Sequence, residues 1–220
     1  MLAVVSDIPS GPVFFFQRAG PVTPTPDYSK MTGKELDRIA HVIRPGGWSV
    51  AGGRPISTLL GSCVAVCLFD PQLKIGGMNH FLLPSRGKDR ELDPDTILSG
   101  DYSMEVLVNA LLAQGGQKRR LVAKMFGGGN IVSAILTSIG ERNVEFATEW
   151  LQRENIPVLA SDVLGPWSRK VVFVPGTGDA FCMRMPVTQS IVAQVSREEE
   201  AYANSLSKPV PPAGKKIELF

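Results

Sequence analysis

The sequence has few cysteines and no long apolar run, and each shortage excludes a class of protein. Three cysteines among 220 residues argue against a disulfide-bonded secreted domain and suit a reducing cytosol. No segment approaches the ~20 apolar residues that a membrane-spanning helix requires. The apolar run at residues 13–16 is too short, and too closely flanked by prolines, for a signal peptide. We therefore expect a cytoplasmic protein that does not insert into a membrane.

The chain also has no large excess of positive or negative charge. The formal net charge is +2, and the short basic runs at residues 118–120 and 215–216 are explained by solvated loop or tail charge. A nucleic-acid interface would need clustered basic residues. We therefore expect no nucleic-acid partner.

The chain does have the composition of one globular domain with tails. Hydrophobic residues make up 44% and charged residues 20% of it, which allows a core without disulfides or metals. Prolines interrupt the N-terminal segment and residues 209–212. We predict a proline-rich tail over residues 1–38, a domain over 39–188, and a C-terminal tail over 189–220 that includes a candidate short charged helix.

The hydrophobic pattern of the domain mixes strands with helices. Strands are predicted at residues 56–60, 64–69, 74–83, 121–126, 156–160 and 170–174. Helices are predicted at residues 102–114 and 131–139, and from an N-cap at Asn143 to about residue 154. The fold class is therefore α/β or α+β, with a mixed sheet and a β-hairpin formed by the second and third strands.

The hairpin can bring a cysteine and a histidine together. If its turn is centred on residues 70–73, Phe69 pairs with Lys74, and Cys63 stands opposite His80 with the Cβ atoms ~5 Å apart. The imidazole can then take the thiol proton, which leaves a nucleophilic thiolate beside an imidazolium. Cys63 and His80 are therefore candidate catalytic residues.

Neighbouring residues could complete this candidate site. Gly61 and Ser62 directly precede the cysteine, and backbone N–H groups there could face a developing oxyanion. A hydroxyl from Ser57 or Thr58 could orient the imidazole, which is the third role in a catalytic triad.

Other interpretations of the same residues stay open. A lone cysteine in an apolar run is usually a small core residue, and this interpretation is favoured for Cys67. A zinc site built from Cys63, Cys67 and His80 lacks a fourth ligand and the usual spacing. The glycines at residues 127–129 match no phosphate-binding loop and indicate a tight strand-to-helix connection. We expect neither a metal nor an organic cofactor.

The motifs around these residues resemble the CheD family, the chemoreceptor glutamine deamidases. The resemblance covers roughly residues 42–185. Its most specific parts are TLLGSCVAVCLFDP at residues 58–71 and KIGGMNHFLLP at residues 74–84. Shorter matches follow at residues 102–105, 123–128 and 139–143.

The resemblance implies a layered α/β sandwich and an activity. That activity is the cysteine-dependent deamidation of glutamine side chains to glutamate on methyl-accepting chemoreceptors, in chemotaxis adaptation. For some members the resemblance also implies methyl ester hydrolysis and a CheC-like phosphatase as partner. The family's nucleophile falls on Cys63 and its histidine on His80. Its third polar residue falls on Ser57, which we favour, or on Thr58 under a shifted alignment.

One segment departs from the family and one rival hypothesis remains. At residues 162–169 a glycine is lost and Pro166 and Trp167 are gained, so that receptor choice or partner binding could differ. The rival hypothesis is a non-catalytic binding module that modulates a chemotaxis phosphatase. The intact pair of Cys63 and His80 disfavours it.

Overall fold

The computed structural model describes residues 27–50, 53–83, 94–131, 137–186 and 188–206. Within these residues the α-helices are α1 Gly33–Ile39, α2 Pro94–Ala113, α3 Thr137–Arg153 and α4 Gln189–Leu206. The strands are β1 His41–Val42, β2 Trp48–Ser49, β3 Ile56–Leu60, β4 Val64–Asp70, β5 Ile75–Asn79, β6 Val122–Gly127, β7 Val158–Val163, β8 Ser168–Val174 and β9 Asp179–Met185. Short 3₁₀ helices lie at Tyr28–Lys30 and Lys118–Arg120.

The strands form two mixed sheets. One sheet has the order β1-β3-β8-β9 and the other the order β2-β5-β4-β6-β7. The pairs β1–β3 and β6–β7 are parallel, whereas the other neighbouring strands are antiparallel. The predicted mixed fold class is therefore confirmed. Across the described ranges, no helix is long and apolar enough to cross a bilayer.

Alternation along β4 explains why sheets and helices stack in layers. Val66 and Leu68 pack in a cluster that includes residues of α2 and α3. Ala65 and Cys67 pack in a second cluster, which also contains residues of β3 and β8 and is called here the inter-sheet cluster. Because successive side chains of a strand point to opposite faces, β4 is buried on both sides.

The first and last helices of the described chain pack against the sheets. α1 packs Leu36 against Val172 and Val174 on the outer face of the four-stranded sheet. α4 buries Val195, which is 4% exposed. All of α1 except its last residue lies in the predicted N-terminal tail, and α4, which contains the candidate charged helix, lies in the predicted C-terminal tail. Both helices find apolar partners that are distant in sequence, and the domain limits 39 and 188 stay predictions.

Strand β3 has the bounds predicted for it, residues 56–60. The other predicted strands and the helix predicted at residues 102–114 are found with shifted ends. The sequence does not predict β1, β2 or β9. Asn143 is not an N-cap, because α3 begins six residues before it at Thr137. The predicted helix at residues 131–139 falls mainly on residues outside the described ranges.

The predicted hairpin register is wrong by two residues. Cys67 pairs with Met78, and Val64 forms an isolated bridge with Phe81. Continuing this register places Ala65, and not Cys63, opposite His80. Because the shift is an even number of residues, Cys63 and His80 keep the same face.

The turn of the hairpin explains the shift. Lys74 has φ 55°, and its N–H donates to the Asp70 carbonyl at 2.8 Å. The four-residue turn thus lies between the pair Asp70 and Ile75, one residue later than predicted. A left-handed lysine is uncommon, and the local sequence does not indicate it.

Candidate active site

Cys63 lies in the short turn between β3 and β4, and the carbonyl groups of this turn are held by its neighbours. The N–H groups of Gly128 and Gly129 donate to the carbonyl groups on either side of Ser62, at 2.8 and 2.7 Å. The side-chain amide of Asn143 donates to the Ser62 carbonyl at 2.8 Å. The turn is therefore fixed through its carbonyl groups, and the N–H groups of Ser62 and Cys63 point to other partners.

The glycine run and Asn143 have structural roles here that sequence reasoning missed. Gly127 and Gly128 have φ 115° and 64°, in the region that favours glycine. A side chain on Gly127 would overlap the Cys63 carbonyl. Asn143 is fully buried, and its oxygen also accepts from the Leu83 N–H at 2.9 Å. The consecutive glycines were an available signal, whereas nothing local marks Asn143.

A threonine hydroxyl fixes the orientation and tautomer of His80. Thr58 Oγ1 lies 2.7 Å from His80 Nδ1 and donates its only proton to the Ile43 carbonyl at 2.9 Å. The hydroxyl oxygen therefore accepts from Nδ1–H, which leaves the lone pair on Nε2. Nε2 is buried and has no hydrogen-bond partner within the described residues. The imidazole thus presents an unoccupied base.

In the structure Thr58, and not the favoured Ser57, contacts the imidazole of His80. Leu60 shares the Thr58 face of β3 and packs in the inter-sheet cluster. Ser57 pairs with Val172, which packs in the cluster under α1 on the opposite face. Because side chains alternate along a strand, only one of the two hydroxyl residues can reach His80. The six-residue offset from the family motif selected Ser57, which lies on the other face of β3, and the catalytic role of either hydroxyl stays a prediction.

Burial keeps the cysteine and histidine uncharged. Cys63 is 0% and His80 2% exposed. Burial, then the charge and hydrogen bonding of Glu199 and the charge of Glu198, raise the pKa of Cys63 well above its usual value. Burial lowers the pKa of His80 to about 3, against a smaller opposing effect of the Ile43 carbonyl. The predicted thiolate–imidazolium pair is therefore not the resting state of this geometry.

A glutamate from α4 occupies the N–H groups of the cysteine turn. Glu199 Oε1 accepts from the N–H groups of Ser62 and Cys63 at 2.8 and 3.2 Å. Its Oε2 accepts from Ser62 Oγ at 2.6 Å. Two N–H groups that converge on one oxygen form the arrangement that binds an oxyanion. Gly61 contributes space instead of a donor, because a side chain there would overlap Val195.

The segment that departs from the family lies beside this turn. The guanidinium of Arg169 is 1% exposed and donates to the Asp162 carboxylate at 2.8 Å and to the Trp167 carbonyl at 3.3 Å. The Gly165 carbonyl accepts from the Asn130 N–H at 2.8 Å. A partly buried ion pair therefore fixes this loop against the glycine run that supports Cys63, and Trp167 stays 39% exposed.

The remaining predictions for cysteine and metal chemistry concern Cys67. It is 1% exposed in the inter-sheet cluster, as expected for a core cysteine, and burial raises the pKa of its thiol. In the portion of the chain with described placement, no three His, Cys, Asp or Glu side chains are grouped to hold a metal ion.

Fold and site together bring several reactive groups into one region. A layered α+β sandwich holds the buried Cys63 next to converging N–H donors, and the buried His80 follows β5 with its Nδ1 on Thr58. A thiol, an imidazole and converging N–H donors are the groups from which acyl-transfer sites are built.

Comparison with known proteins identifies the family. The family model described as "CheD chemotactic sensory transduction" matches residues 82–184. A Dechloromonas aromatica protein named "Probable chemoreceptor glutamine deamidase CheD 2" is 55% identical over 196 residues, which are 88% of this chain and 100% of the relative. Proteins of the same kind from Burkholderia thailandensis (42% identical, 85% of this chain and 96% of the relative) and Vibrio vulnificus (39%, 88% and 92%) also match. The chain belongs to the CheD family.

Proposed function

We propose that this chain deamidates glutamine side chains to glutamate on methyl-accepting chemoreceptors, with Cys63 as nucleophile. The proposal is carried by the convergence of the Ser62 and Cys63 N–H groups on one carboxylate oxygen of Glu199, next to the thiol. A glutamate carboxylate is the product of this reaction, and a glutamine carboxamide has the same length and shape. The names of the relatives supply the substrate.

The reaction is an acyl transfer in two steps. The Cys63 sulfur attacks the carboxamide carbon while its proton passes to His80 Nε2, and the oxyanion accepts hydrogen bonds from the Ser62 and Cys63 N–H groups. The C–N bond then breaks, and ammonia leaves with the proton from His80. Water, deprotonated by the same nitrogen, attacks the thioester. The products are a glutamate side chain and the free thiol.

Thr58 acts on the reaction through His80. Its hydroxyl accepts from Nδ1–H and so holds Nε2 as the nitrogen that takes and returns the proton. The low pKa of His80, about 3, describes a closed site in which an imidazolium is poorly solvated. Access of substrate and water would raise that pKa, because desolvation is its first cause.

Two further parts of the proposal have separate support. A glutamyl methyl ester would form the same thioester on Cys63, with methanol as leaving group, so methyl ester hydrolysis is included. All three cysteines are free, which accords with the proposed cytoplasmic location. The CheC-like partner stays a prediction of the family resemblance.

Ammonia release from a chemoreceptor fragment tests the proposal. We expect Cys63→Ala to lower the rate by on the order of 10⁴-fold or more, as loss of a nucleophile does. Cys67→Ala is the matched control, because it removes a buried thiol from β4, the strand that follows the turn, without touching the turn itself. Mass spectrometry of the fragment identifies the converted glutamines. Binding of the fragment without ammonia release would contradict the proposal and favour the binding module.

A further inference from the structure

One face of α4 lies over the turn that contains Cys63 and over the turn that is bonded to His80. Val195, Glu199, Tyr202 and Ala203 follow the spacing of neighbours on a helix surface. Val195 is buried against the turn, and Tyr202 and Ala203 pack against the inter-sheet cluster. A side chain added at Gly61 would overlap Val195. The helix therefore lies in direct contact with the cysteine turn.

The same face also packs on the turn that is bonded to the His80 backbone. A side chain added at Gly46 would overlap the Tyr202 ring. The Gly46 N–H donates to the His80 carbonyl at 2.8 Å, and the His80 N–H donates to the Gly47 carbonyl at 2.9 Å. Tyr202 thus lies on the turn that is bonded to His80. With α4 in place, a glutamine on another protein cannot reach Cys63.

We infer that α4 is a tethered product mimic: Glu199 occupies the position of the product carboxylate, and α4 must leave before a receptor glutamine can bind. The inference rests on the proposed function and adds its regulation. Glu199 presents the chemical group that the reaction makes, on a helix, to the donors that would hold the oxyanion.

The attachment of α4 is compatible with such release. Among the side chains of α4 that the structure describes, only Val195 is buried. Glu199 holds the cysteine turn through three hydrogen bonds. Segments with few buried apolar contacts open at low free energy. Glu199 also raises the pKa of the Cys63 thiol, after burial itself, so its departure would favour the thiolate.

Alkylation of Cys63 tests the closed state without any substrate. We expect Glu199→Ala to raise the rate of iodoacetamide labelling at Cys63 by about tenfold or more, the factor carried by one hydrogen bond to a charged group. Glu200→Ala is the matched control, because Glu200 is an exposed glutamate on the same helix, and it should label at the unmodified rate. Equal labelling of the two variants would overturn the inference.

Glu199→Gln tests the position of the side chain and is nearly isosteric, so it serves also if the alanine variant does not fold. The introduced carboxamide would then lie where the substrate is expected. We expect this carboxamide to lose ammonia in the purified protein. Peptide mass spectrometry should find position 199 as glutamate or as a thioester to Cys63. The double variant Cys63→Ala with Glu199→Gln should keep its carboxamide.

The two proposals fail differently. An intact carboxamide in Glu199→Gln, in a protein that still deamidates a receptor fragment, would overturn the product mimic and leave the proposed function standing. If no variant releases ammonia from a fragment, the proposed function fails. If Cys63 is labelled faster in Glu199→Ala but Glu199→Gln keeps its carboxamide, α4 covers the thiol without acting as a product mimic.

Discussion

The two ends of β4 differ in how fully their buried polar groups are hydrogen-bonded. At one end the Asp70 carboxylate is fully buried and accepts hydrogen bonds from the guanidinium of Arg120 at 2.8 and 3.1 Å. It also accepts from the N–H groups of Gln72, Leu73 and Gln117. At this end, charge and hydrogen-bonding capacity are matched, as is usual for a buried ion.

At the other end, hydrogen-bonding capacity is only partly satisfied by the two sheets. His80 Nε2 has no hydrogen-bond partner among the described residues. The Ser62 and Cys63 N–H groups bond to a side chain from a helix outside the sheets. An unpaired buried polar group lowers stability. The comparison therefore separates a strand end that stabilises the hairpin from one that is available for chemistry.

Removing the histidine should produce the largest effect at the chemical end. We expect His80→Asn to lower kcat/KM on a receptor fragment by about 10²–10⁴-fold, the usual effect of losing a general base. Thermal unfolding should change much less, because Nε2 contributes no bond to the fold. A decrease below about tenfold, at unchanged stability, would mean that another group takes the thiol proton.

Removing the arginine should produce the largest effect at the structural end. Arg120→Met leaves the Asp70 carboxylate buried without its charge partner, and we expect the free energy of unfolding to fall by about 3 kcal/mol. The control is Arg119→Met, because among the described residues Arg119 bonds only the exposed Gln117 side chain. Denaturant titration measures both variants. Equal stabilities would show that the backbone N–H groups alone hold Asp70.

Acid should separate the two ends by pH. Burial lowers the pKa of His80 to about 3, whereas in the unfolded chain it is about 6.5. Below pH ~6.5 the imidazole is therefore protonated in the unfolded chain but not in the fold. The free energy of unfolding thus decreases as the pH falls from ~6.5 toward 3. For Asp70, burial alone would raise the pKa, but hydrogen bonds from Arg120 and backbone N–H groups outweigh it and lower the pKa below 3.8. The Asp70 carboxylate therefore stabilises the fold above pH ~3.8 and loses this stabilising effect only at lower pH.

Stability curves of the variants test this separation. His80→Asn should flatten the decline in the free energy of unfolding between pH ~6.5 and ~4. The difference between the unmodified chain and Arg120→Met should narrow only below pH ~4. If His80→Asn leaves the upper part of the curve unchanged, the imidazole is not buried in neutral form.

The sequence allowed prediction of the parts of the fold and site that depend on local pattern. The apolar run of β4, its turn at Asp70, and the common face of Cys63 and His80 follow from strand periodicity. The register of the hairpin could not be predicted in this way, because it depends on the left-handed backbone of Lys74. Glu199 could not be placed, since it lies 137 residues from Ser62 and no local pattern links two such segments.

The choice between two adjacent hydroxyl residues is the finest test of the comparison. Thr58→Val keeps the side-chain volume and removes the hydroxyl that accepts from His80 Nδ1–H. We expect kcat/KM to fall by roughly fivefold to tenfold, since one neutral hydrogen bond contributes about 1 kcal/mol. Ser57→Ala removes a buried hydroxyl that has no partner among the described residues and should leave the rate unchanged, with equal or higher thermal stability.

The separate changes in kcat and KM, and the rescue by a conservative variant, distinguish positioning from simple structural damage. Without the Thr58 hydroxyl, either imidazole nitrogen can carry the proton, so the fraction of His80 with a lone pair on Nε2 decreases. We therefore expect kcat to fall more than KM changes, and Thr58→Ser to restore the rate. A larger loss for Ser57→Ala than for Thr58→Val, at equal thermal stability, would return the third position to Ser57 and would require β3 to turn its other face to the histidine.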